Sequence, residues 1–250
     1  MITHEFETDL RLKDYIQSYW YYRIGTNSVK HFDIFPDGHF CLVINLKKGR
    51  IVDKRLTGIW TNTASISYFE DEEVLGICFH PFAIGSIFKF NINSLLDDSK
   101  YITSLSEFNL NEKLLINNLK NPKSLVNYLN QQFLKFTENI EPDKRLKKCF
   151  KLIDESDGTF TVDKISKTVG LSSRQLNRLV TEMIGMGIKE YSKIIRLKRS
   201  LVQIKQGHSF YQHYYDQPHF IRELKKYTGT KPSDLDLNNN DRFIQYYYFA

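Results

Sequence analysis

A repeat with an offset of 44 residues constrains the fold of this chain most strongly. Residues 171–191 align with residues 215–235, and the two members of each matched pair suit the same structural role. These pairs are Ser172 and Asp216 (helix caps), Leu176 and Phe220 (core), Arg178 and Arg222 (outward), Val180 and Leu224 (core), Gly185 and Gly229 (helix ends), and Ile188 and Pro232. The repeat predicts two equivalent helical units in series.

The first unit has the local signals of a helix-turn-helix motif. Thr161 is a suitable N-cap, and Gly170 can take the left-handed conformation that ends a helix. Ser172 and Gln175 form a capping box, which marks the start of the next helix. Two helices joined by a short turn containing glycine are typical of this motif. The predicted helices span 162–169, 173–183 and, for a longer third helix, about 188–206.

The second helix of this motif carries polar residues on its outward side. Ser173, Arg174, Asn177 and Arg178 lie near its N-terminal end, opposite the apolar Leu176. Arginine and asparagine are the residue types that read base edges in the major groove of DNA. The pattern predicts a recognition helix.

Charge is distributed unevenly along the chain. Residues 144–250 hold 20 Lys+Arg and 11 Asp+Glu, which gives +9, whereas residues 1–143 hold 15 and 18, which gives −3. These values sum to the +6 of the whole chain. Residues 164–205 include ten basic residues and only two acidic ones. We therefore expect the C-terminal part to bind a polyanion.

These motifs carry a resemblance to a known family. The segment TVDKISKTVGLSSRQLNRLVTEMIGMGIKEYSKIIRLKRSLVQIKQG, with its Arg196-Leu197 pair, is similar to the first half of an AraC/XylS-type DNA-binding domain. The segment YYDQPHFIRELKKYTGTKPSDL resembles the second half of that domain, including its closing signature. In the N-terminal part, FPDGHFCLVINL and LGICFHPFAIGSIF resemble a domain found fused to such regulators.

The resemblance implies a sequence-specific transcription regulator that binds double-stranded DNA. It also implies RNA polymerase, a small-molecule effector and a second copy of the chain as partners. The implied base-reading residues are Arg174, Asn177 and Arg178, with Ser173 beside them, and Gln217, Pro218, Ile221 and Arg222 in the second unit. The phosphate-contact candidates are Lys164, Ser172, Lys193 and Lys198.

The sequence departs from the family pattern before the second recognition helix. The family usually has a two-turn helix there, but HSFYQHYY (208–215) leaves room for at most one turn. This predicts a shortened second motif and weaker or altered DNA binding, with residues 237–250 covering the exposed core. The alternative function is a protein-interaction module, or a partner regulator that has lost DNA binding.

The N-terminal part predicts a different architecture. Short aromatic and β-branched segments at 15–25, 31–35, 40–46, 64–69 and 73–79 are typical of strands. Helical periodicity follows from about 104, with a break at Pro122, and Glu141-Pro142-Asp143 is the predicted boundary. The expected fold class is α+β: a regulatory domain (1–143) with a small antiparallel sheet or partial barrel and helices, then an all-α tandem helix-turn-helix domain (144–250).

Other residues allow two interpretations, a site or core packing. The aromatic residues that could line a ligand pocket are Trp20, Tyr22, Phe35, Phe40 and Trp60, although core packing is the favoured alternative.

The three cysteines, Cys41, Cys78 and Cys149, are expected to be buried free thiols in the cytoplasm. The seven histidines lack metal-ligand spacing, and the chain has none of the catalytic motifs sought. We therefore predict no metal, no cofactor and no enzymatic activity.

Overall fold

A computed structural model of the chain describes residues 2–25, 30–88, 92–206 and 214–231. The fold is α+β, as predicted, with antiparallel sheets in the N-terminal part and helices in the C-terminal part. The chain divides into two compact units. The first contains residues up to 29, 39–58 and 69–143, and the second contains 30–38, 59–68 and the chain from 144 onward.

The strands of the described residues account for all five predicted strand segments and add three more. They are β1 (Ile2–Phe6), β2 (Ile16–Arg23), β3 (Lys30–Ile34), β4 (Phe40–Lys47), β5 (Arg50–Thr57), β6 (Ala64–Tyr68), β7 (Glu72–Phe79) and β8 (Ser99–Tyr101). The three that the sequence did not predict are β1, β5 and β8.

The first unit is built on a six-stranded antiparallel sheet with the strand order β1-β2-β7-β4-β5-β8. Strands β4 and β5 form a hairpin whose two-residue turn, Lys48-Gly49, has positive φ angles of 49° and 69°. Positive φ at both central residues matches the twist of the flanking strands. The remaining strands, β3 and β6, pair with each other as a separate two-stranded ribbon.

Eight α-helices lie in the described part of the chain. They are α1 (Pro81–Ile87), α2 (Glu112–Asn118), α3 (Pro122–Thr137), α4 (Lys144–Glu155), α5 (Val162–Val169), α6 (Ser173–Ile184), α7 (Ile188–Lys205) and α8 (Gln217–Thr228). Pro122 is the first residue of α3, where its missing N–H costs nothing, and the Asn121 side chain caps that helix. None of these helices is both long enough and apolar enough to cross a membrane.

Phenylalanine rings form the core of the first unit. Phe79, fully buried in β7, has its ring centroid 5.8 Å from Phe133 of α3 and 6.4 Å from Phe108. Phe133 stacks on Tyr19 of β2 at 6.3 Å. Helix α3 therefore packs against the sheet through aromatic contacts, which stabilise beyond the area they bury.

The prediction of three free thiols is wrong for two of the cysteines. Strands β4 and β7 pair so that Cys41 lies directly opposite Cys78, with their Cα atoms 4.1 Å apart, and the two side chains form a disulfide. The strands are not consecutive in the chain, so the sequence did not show this register. Cys149 is free and buried, as predicted.

The second unit contains the helices α4 to α8 together with the β3–β6 ribbon. The bounds of α5 agree with the prediction, and those of α6 and α7 differ from it by one residue at the C-terminal end. Predicted features in residues 207–213 and 232–250, including the shortened helix and the C-terminal extension, lie outside the described residues. The division into domains at 143 and 144 stays a prediction.

Candidate nucleic-acid interface

The first helix-turn-helix is held by the local contacts that its sequence predicts. The Thr161 hydroxyl caps α5 by accepting from the Lys164 N–H at 3.3 Å, and Gly170 ends that helix with φ of 83°. In α6, the Ser172 hydroxyl accepts from the Gln175 N–H at 3.2 Å, and the Gln175 side chain accepts from the Ser172 N–H at 3.1 Å. Both caps satisfy backbone N–H groups that a helix start leaves unpaired.

Two arginines occupy the exposed side of α6. Arg174 is exposed, and the Arg178 side chain, one turn further on, is 69% exposed. The Arg178 guanidinium lies 3.6 Å from the Glu182 carboxylate, an exposed pair with little net stability. Both arginines are therefore available to a ligand that approaches this face.

Ser173 and Asn177, predicted beside these arginines, are engaged within the protein. The Ser173 hydroxyl donates to the Asp163 carboxylate of α5 at 2.6 Å. The Asn177 Oδ1 accepts from the backbone N–H of Ile188, the first residue of α7, at 3.0 Å. Both side chains therefore hold α6 against its neighbouring helices, and their role in base reading stays a prediction.

Asn177 replaces a side-chain cap that α7 cannot provide for itself. The N-cap residue of α7 is Gly187, which has no side chain to accept a hydrogen bond. A Cβ atom at Gly187 would lie 2.9 Å from the Asn177 Oδ1, closer than Cβ atoms approach other atoms. The glycine therefore gives Asn177 room to cap α7 from another helix.

The four phosphate candidates have different surroundings. Lys164 is exposed, with its Nζ 3.2 Å from the centroid of the Phe160 ring, and Ser172 is exposed at the start of α6. The Lys193 Nζ lies 2.7 Å from the Glu190 carboxylate and lowers the pKa of that group. Lys198 is only 8% exposed, so its burial argues against a phosphate contact.

Two further basic residues of α7 also make internal contacts. The Arg196 Nη2 donates to the backbone carbonyl of Gly158 at 2.8 Å. The Arg199 guanidinium lies 2.8 Å from the Asp157 carboxylate and 3.3 Å from that of Asp154. These bonds tie α7 to the end of α4, so part of the positive charge predicted for this region stabilises the helical unit.

The second candidate recognition helix, α8, begins with the predicted cap. The Asp216 carboxylate accepts from the His219 N–H at 2.7 Å. Gln217 and Arg222 are exposed, and Ile221 is half-buried. Pro218 is exposed as well, so of the predicted second set only Ile221 is partly covered.

The structure confirms the roles that the repeat assigned to α6 and α8. Leu176 and Phe220 are fully buried, as are Val180 and Leu224. The outward arginines, Arg178 and Arg222, are both exposed. Gly185 and Gly229 end the two helices with φ angles of 82° and 73°. The last pair, Ile188 and Pro232, cannot be compared because Pro232 lies outside the described residues.

Sequence reasoning missed the residues that hold α8 in place. The Tyr214 ring is buried 5.1 Å from the Phe220 ring, and the Arg196 guanidinium of α7 lies 5.6 Å from the Tyr214 ring centroid. Burial, with the nearby Glu190 carboxylate, raises the pKa of Tyr227. Thr63 of the ribbon bonds to the backbone of Tyr227. Of Tyr214, Tyr227 and Thr63, only Tyr227 lies in a helix, so helical periodicity gave no signal for the other two.

The predicted aromatic pocket is not assembled within one unit. Trp20, Tyr22 and Phe40 belong to the first unit, and Phe35 and Trp60 belong to the second. Tyr22, Phe35 and Phe40 are at most 4% exposed, and Trp20 stacks on Tyr22 at 4.7 Å. Tyr22, Phe35 and Phe40 therefore fit core packing, the alternative favoured by the sequence, whereas Trp20 and Trp60 are half-buried. In the described part of the chain, no three His, Cys, Asp or Glu side chains are grouped as metal ligands.

Comparisons with known proteins found one matching family model and several similar solved structures. The family described as "Domain of unknown function (DUF6597)" matches residues 4–100. None of the curated proteins matches the chain. Among solved structures, a ToxT variant without ligand from Vibrio cholerae strain SCE256 is 13% identical, covers 91% of this chain and 97% of its own, and has a TM-score of 0.48. ToxT from Vibrio cholerae O395 is 15% identical, with coverages of 88% and 96% and a TM-score of 0.42.

Proposed function

We propose that this protein is a sequence-specific DNA-binding transcription regulator with the organisation of the AraC/XylS type, and that it is not an enzyme. In this proposal, α6 lies in the major groove and presents Arg174 and Arg178 to the base edges. Arginine donates two parallel hydrogen bonds to guanine O6 and N7, the commonest specific contact in protein–DNA complexes. Arg222 of α8 makes the corresponding contact in a second segment of the groove.

The equivalence of α6 and α8 carries this proposal. Each helix has a capped start, two fully buried apolar residues, an exposed arginine at the same repeat position and a left-handed glycine at its end. Because the buried apolar residues lie on one side of each helix, the opposite side is open to a ligand. The recurrence of an exposed arginine on that open side supports two recognition helices in series.

Exposed lysines around α6 support binding to a polyanion. Lys164, Lys167 and Lys189 are exposed, in a region that also contains the two outward arginines. Each phosphate that a protein neutralises releases counterions, so the affinity falls steeply as the salt concentration rises. We expect these lysines to contribute the sequence-independent part of the affinity.

The remaining parts of the proposal concern regulation. The first unit has a regulatory or dimerisation role, for which the N-terminal sequence resemblance is the support. A small-molecule effector, a homodimer, contact with RNA polymerase and a cytoplasmic location belong to the same proposal. ToxT itself has been crystallised with an unsaturated fatty acid in a structure that is 14% identical to this chain, covers 85% of it and 96% of its own chain, and has a TM-score of 0.42.

Selection of bound sequences from a random DNA library tests the function. We expect enrichment of a defined site, and binding to it should weaken steeply between 50 and 200 mM salt, as phosphate contacts require. Arg178→Ala should cost about 1–3 kcal/mol of specific binding and relax the base preference at one position. Arg174→Ala should relax the preference at a neighbouring position.

Arg50→Ala is the matched control, since Arg50 is an exposed arginine of the first unit. It removes the same charge from the chain but should leave the affinity for the selected site unchanged. Wild-type affinity of both α6 variants for that site would refute the assignment of Arg174 and Arg178. If no sequence is enriched and no DNA is bound at low salt, the chain acts instead as a protein-interaction module.

A further inference from the structure

The β3–β6 ribbon lies far from α7 and α8 in sequence but belongs to the same compact unit. We include in the ribbon the loops that adjoin its strands, so that it comprises residues 30–38 and 59–68. Its two strands pair antiparallel, and its loops, 35–38 and 59–63, are partly buried. Each loop contacts a different helix of the unit. One of these helices is α8, the second candidate recognition helix.

One contact caps the C-terminal end of α8. The backbone N–H of Thr63 donates to the Tyr227 carbonyl at 3.1 Å, and the Thr63 hydroxyl donates to the same oxygen at 2.7 Å. Tyr227 is the penultimate residue of α8, so its carbonyl is among the four that lack an intrahelical partner. The ribbon thus supplies both donors for a carbonyl 164 residues away in the sequence.

The other contact fixes the ribbon to α7. The buried Tyr191 hydroxyl donates to the Gly38 carbonyl at 3.3 Å. Gly38 has φ of 79°, and a Cβ atom there would lie 3.0 Å from the Tyr191 ring and 3.1 Å from the Ile195 side chain. A glycine is needed for both the backbone conformation and the close approach. The ribbon is therefore anchored independently of its bond to α8.

Because α8 is a continuous helix, a contact at its C-terminal end affects the position of its N-terminal end. The helix has 12 residues and is about 18 Å long at 1.5 Å per residue. A tilt of about 10° around its C-terminal end would move its N-terminal end by roughly 3 Å. Gln217, at that end, would move by about 3 Å, and Arg222, about 9 Å from the pivot, by roughly 1.6 Å. Both displacements exceed the ~0.5 Å range of hydrogen-bond lengths, so either is enough to weaken or lose a hydrogen bond to a base edge.

We propose that the ribbon sets the orientation of α8 for DNA reading, with Thr63 as the positioning residue. The inference rests on the proposed function, because it assigns a role within DNA binding. The ribbon strands alternate along the chain with strands of the six-stranded sheet: β3 lies between β2 and β4, and β6 lies between β5 and β7. The orientation of α8 is therefore set by a segment continuous in sequence with the first unit.

Thr63→Val and Thr63→Ser test this role on the full chain. Valine keeps the shape and the backbone N–H but removes the hydroxyl, whereas serine keeps the hydroxyl. Loss of one hydrogen bond of ordinary strength corresponds to a change of about two- to tenfold in an equilibrium constant. We expect Thr63→Val to weaken binding to the full selected site by that factor and to lose the footprint over the segment read by α8.

Three comparisons separate this role from a general loss of stability. Thr63→Val should bind a site that contains only the α6 segment as well as the wild type does, and its amide hydrogen exchange should speed up in α8 but not in α6. Thr63→Ser should restore the full footprint. Ser65→Ala removes a ribbon hydrogen bond to Asp33 that does not reach the helices, and it should leave the footprint unchanged.

The outcomes distinguish failure of this inference from failure of the proposed function. A wild-type chain that selects no DNA overturns both the function and the role of the ribbon in it. The positioning role alone is overturned by a different result. In that case the wild type protects two DNA segments, Thr63→Val protects both of them equally, and the α8 amides of the variant exchange at the wild-type rate. An equal loss of affinity on the full and the shortened site also overturns it.

Discussion

Replacing Asn177 by alanine separates a structural role from base reading. The Asn177 Oδ1 accepts from the Ile188 N–H at 3.0 Å, and Ile188 is fully buried. Alanine leaves this buried N–H without an acceptor, which costs about 1–3 kcal/mol. Loss of an N-cap side chain costs about 0.5–2 kcal/mol in other proteins. We therefore expect Asn177→Ala to lower the free energy of unfolding by about 1–2 kcal/mol.

The assay is urea unfolding followed by circular dichroism, together with the melting temperature. For a chain of this size, a loss of 1–2 kcal/mol corresponds to a decrease in melting temperature of about 2–8 °C. Asn177→Asp should retain most of the stability, because a carboxylate oxygen accepts the same bond and favours the positive end of the helix dipole. Asn118→Ala, which removes a solvent-exposed asparagine hydrogen bond, should change stability by less than about 0.5 kcal/mol.

DNA selection gives the result that would refute this reasoning. If Asn177 only holds α6 against α7, the alanine variant should enrich the same sequence as the wild type at a temperature where it remains folded. A base-reading asparagine uses both its donor and its acceptor on adenine. An unchanged melting temperature together with a lost preference at one base position would therefore support the predicted base-reading role of Asn177.

Two predictions concern the cysteines. Reduction of the Cys41–Cys78 disulfide, which spans a sequence separation of 37, should lower stability by about 2–4 kcal/mol in urea unfolding; identical midpoints with and without reductant would contradict it. Burial raises the pKa of Cys149 to about 12, so its thiol stays protonated at pH 8 and should not react with a thiol reagent in the folded chain. In urea without reductant, one thiol per chain should react, and in urea with reductant, three should react. Three reactive thiols in urea without reductant would exclude the disulfide.

The helices of the second unit could be predicted because their signals are local. A cap and a closing glycine act within a few residues, so Thr161, Gly170, Ser172 and Asp216 could each be assigned from the sequence alone. Strand β5 was missed because its sequence, RIVDKRLT, alternates weakly. The Lys48-Gly49 turn before it was nevertheless a usable signal, since a two-residue hairpin requires a strand on each side.

The side-chain contacts around the candidate interface were not predictable from the sequence, for a geometrical reason. Ser173 and Asn177 lie one turn apart at the border between the buried and the exposed sides of α6, next to Arg174 and Arg178. Helical periodicity separates the two sides but does not decide a border position. That choice depends on Asp163 and Ile188, which other helices bring into reach. Only tertiary structure shows these contacts.

The two candidate recognition helices, α6 and α8, differ most in the contacts that support them. In the first motif α5 supports α6 through the Ser173–Asp163 bond. For the second motif, the sequence predicted a missing support, and the segment concerned lies outside the described residues. Support for α8 comes from Tyr214 beneath it and from Thr63 at its C-terminal end. Because neither contact belongs to the repeat, a short second motif does not by itself imply that Arg222 is poorly presented to DNA.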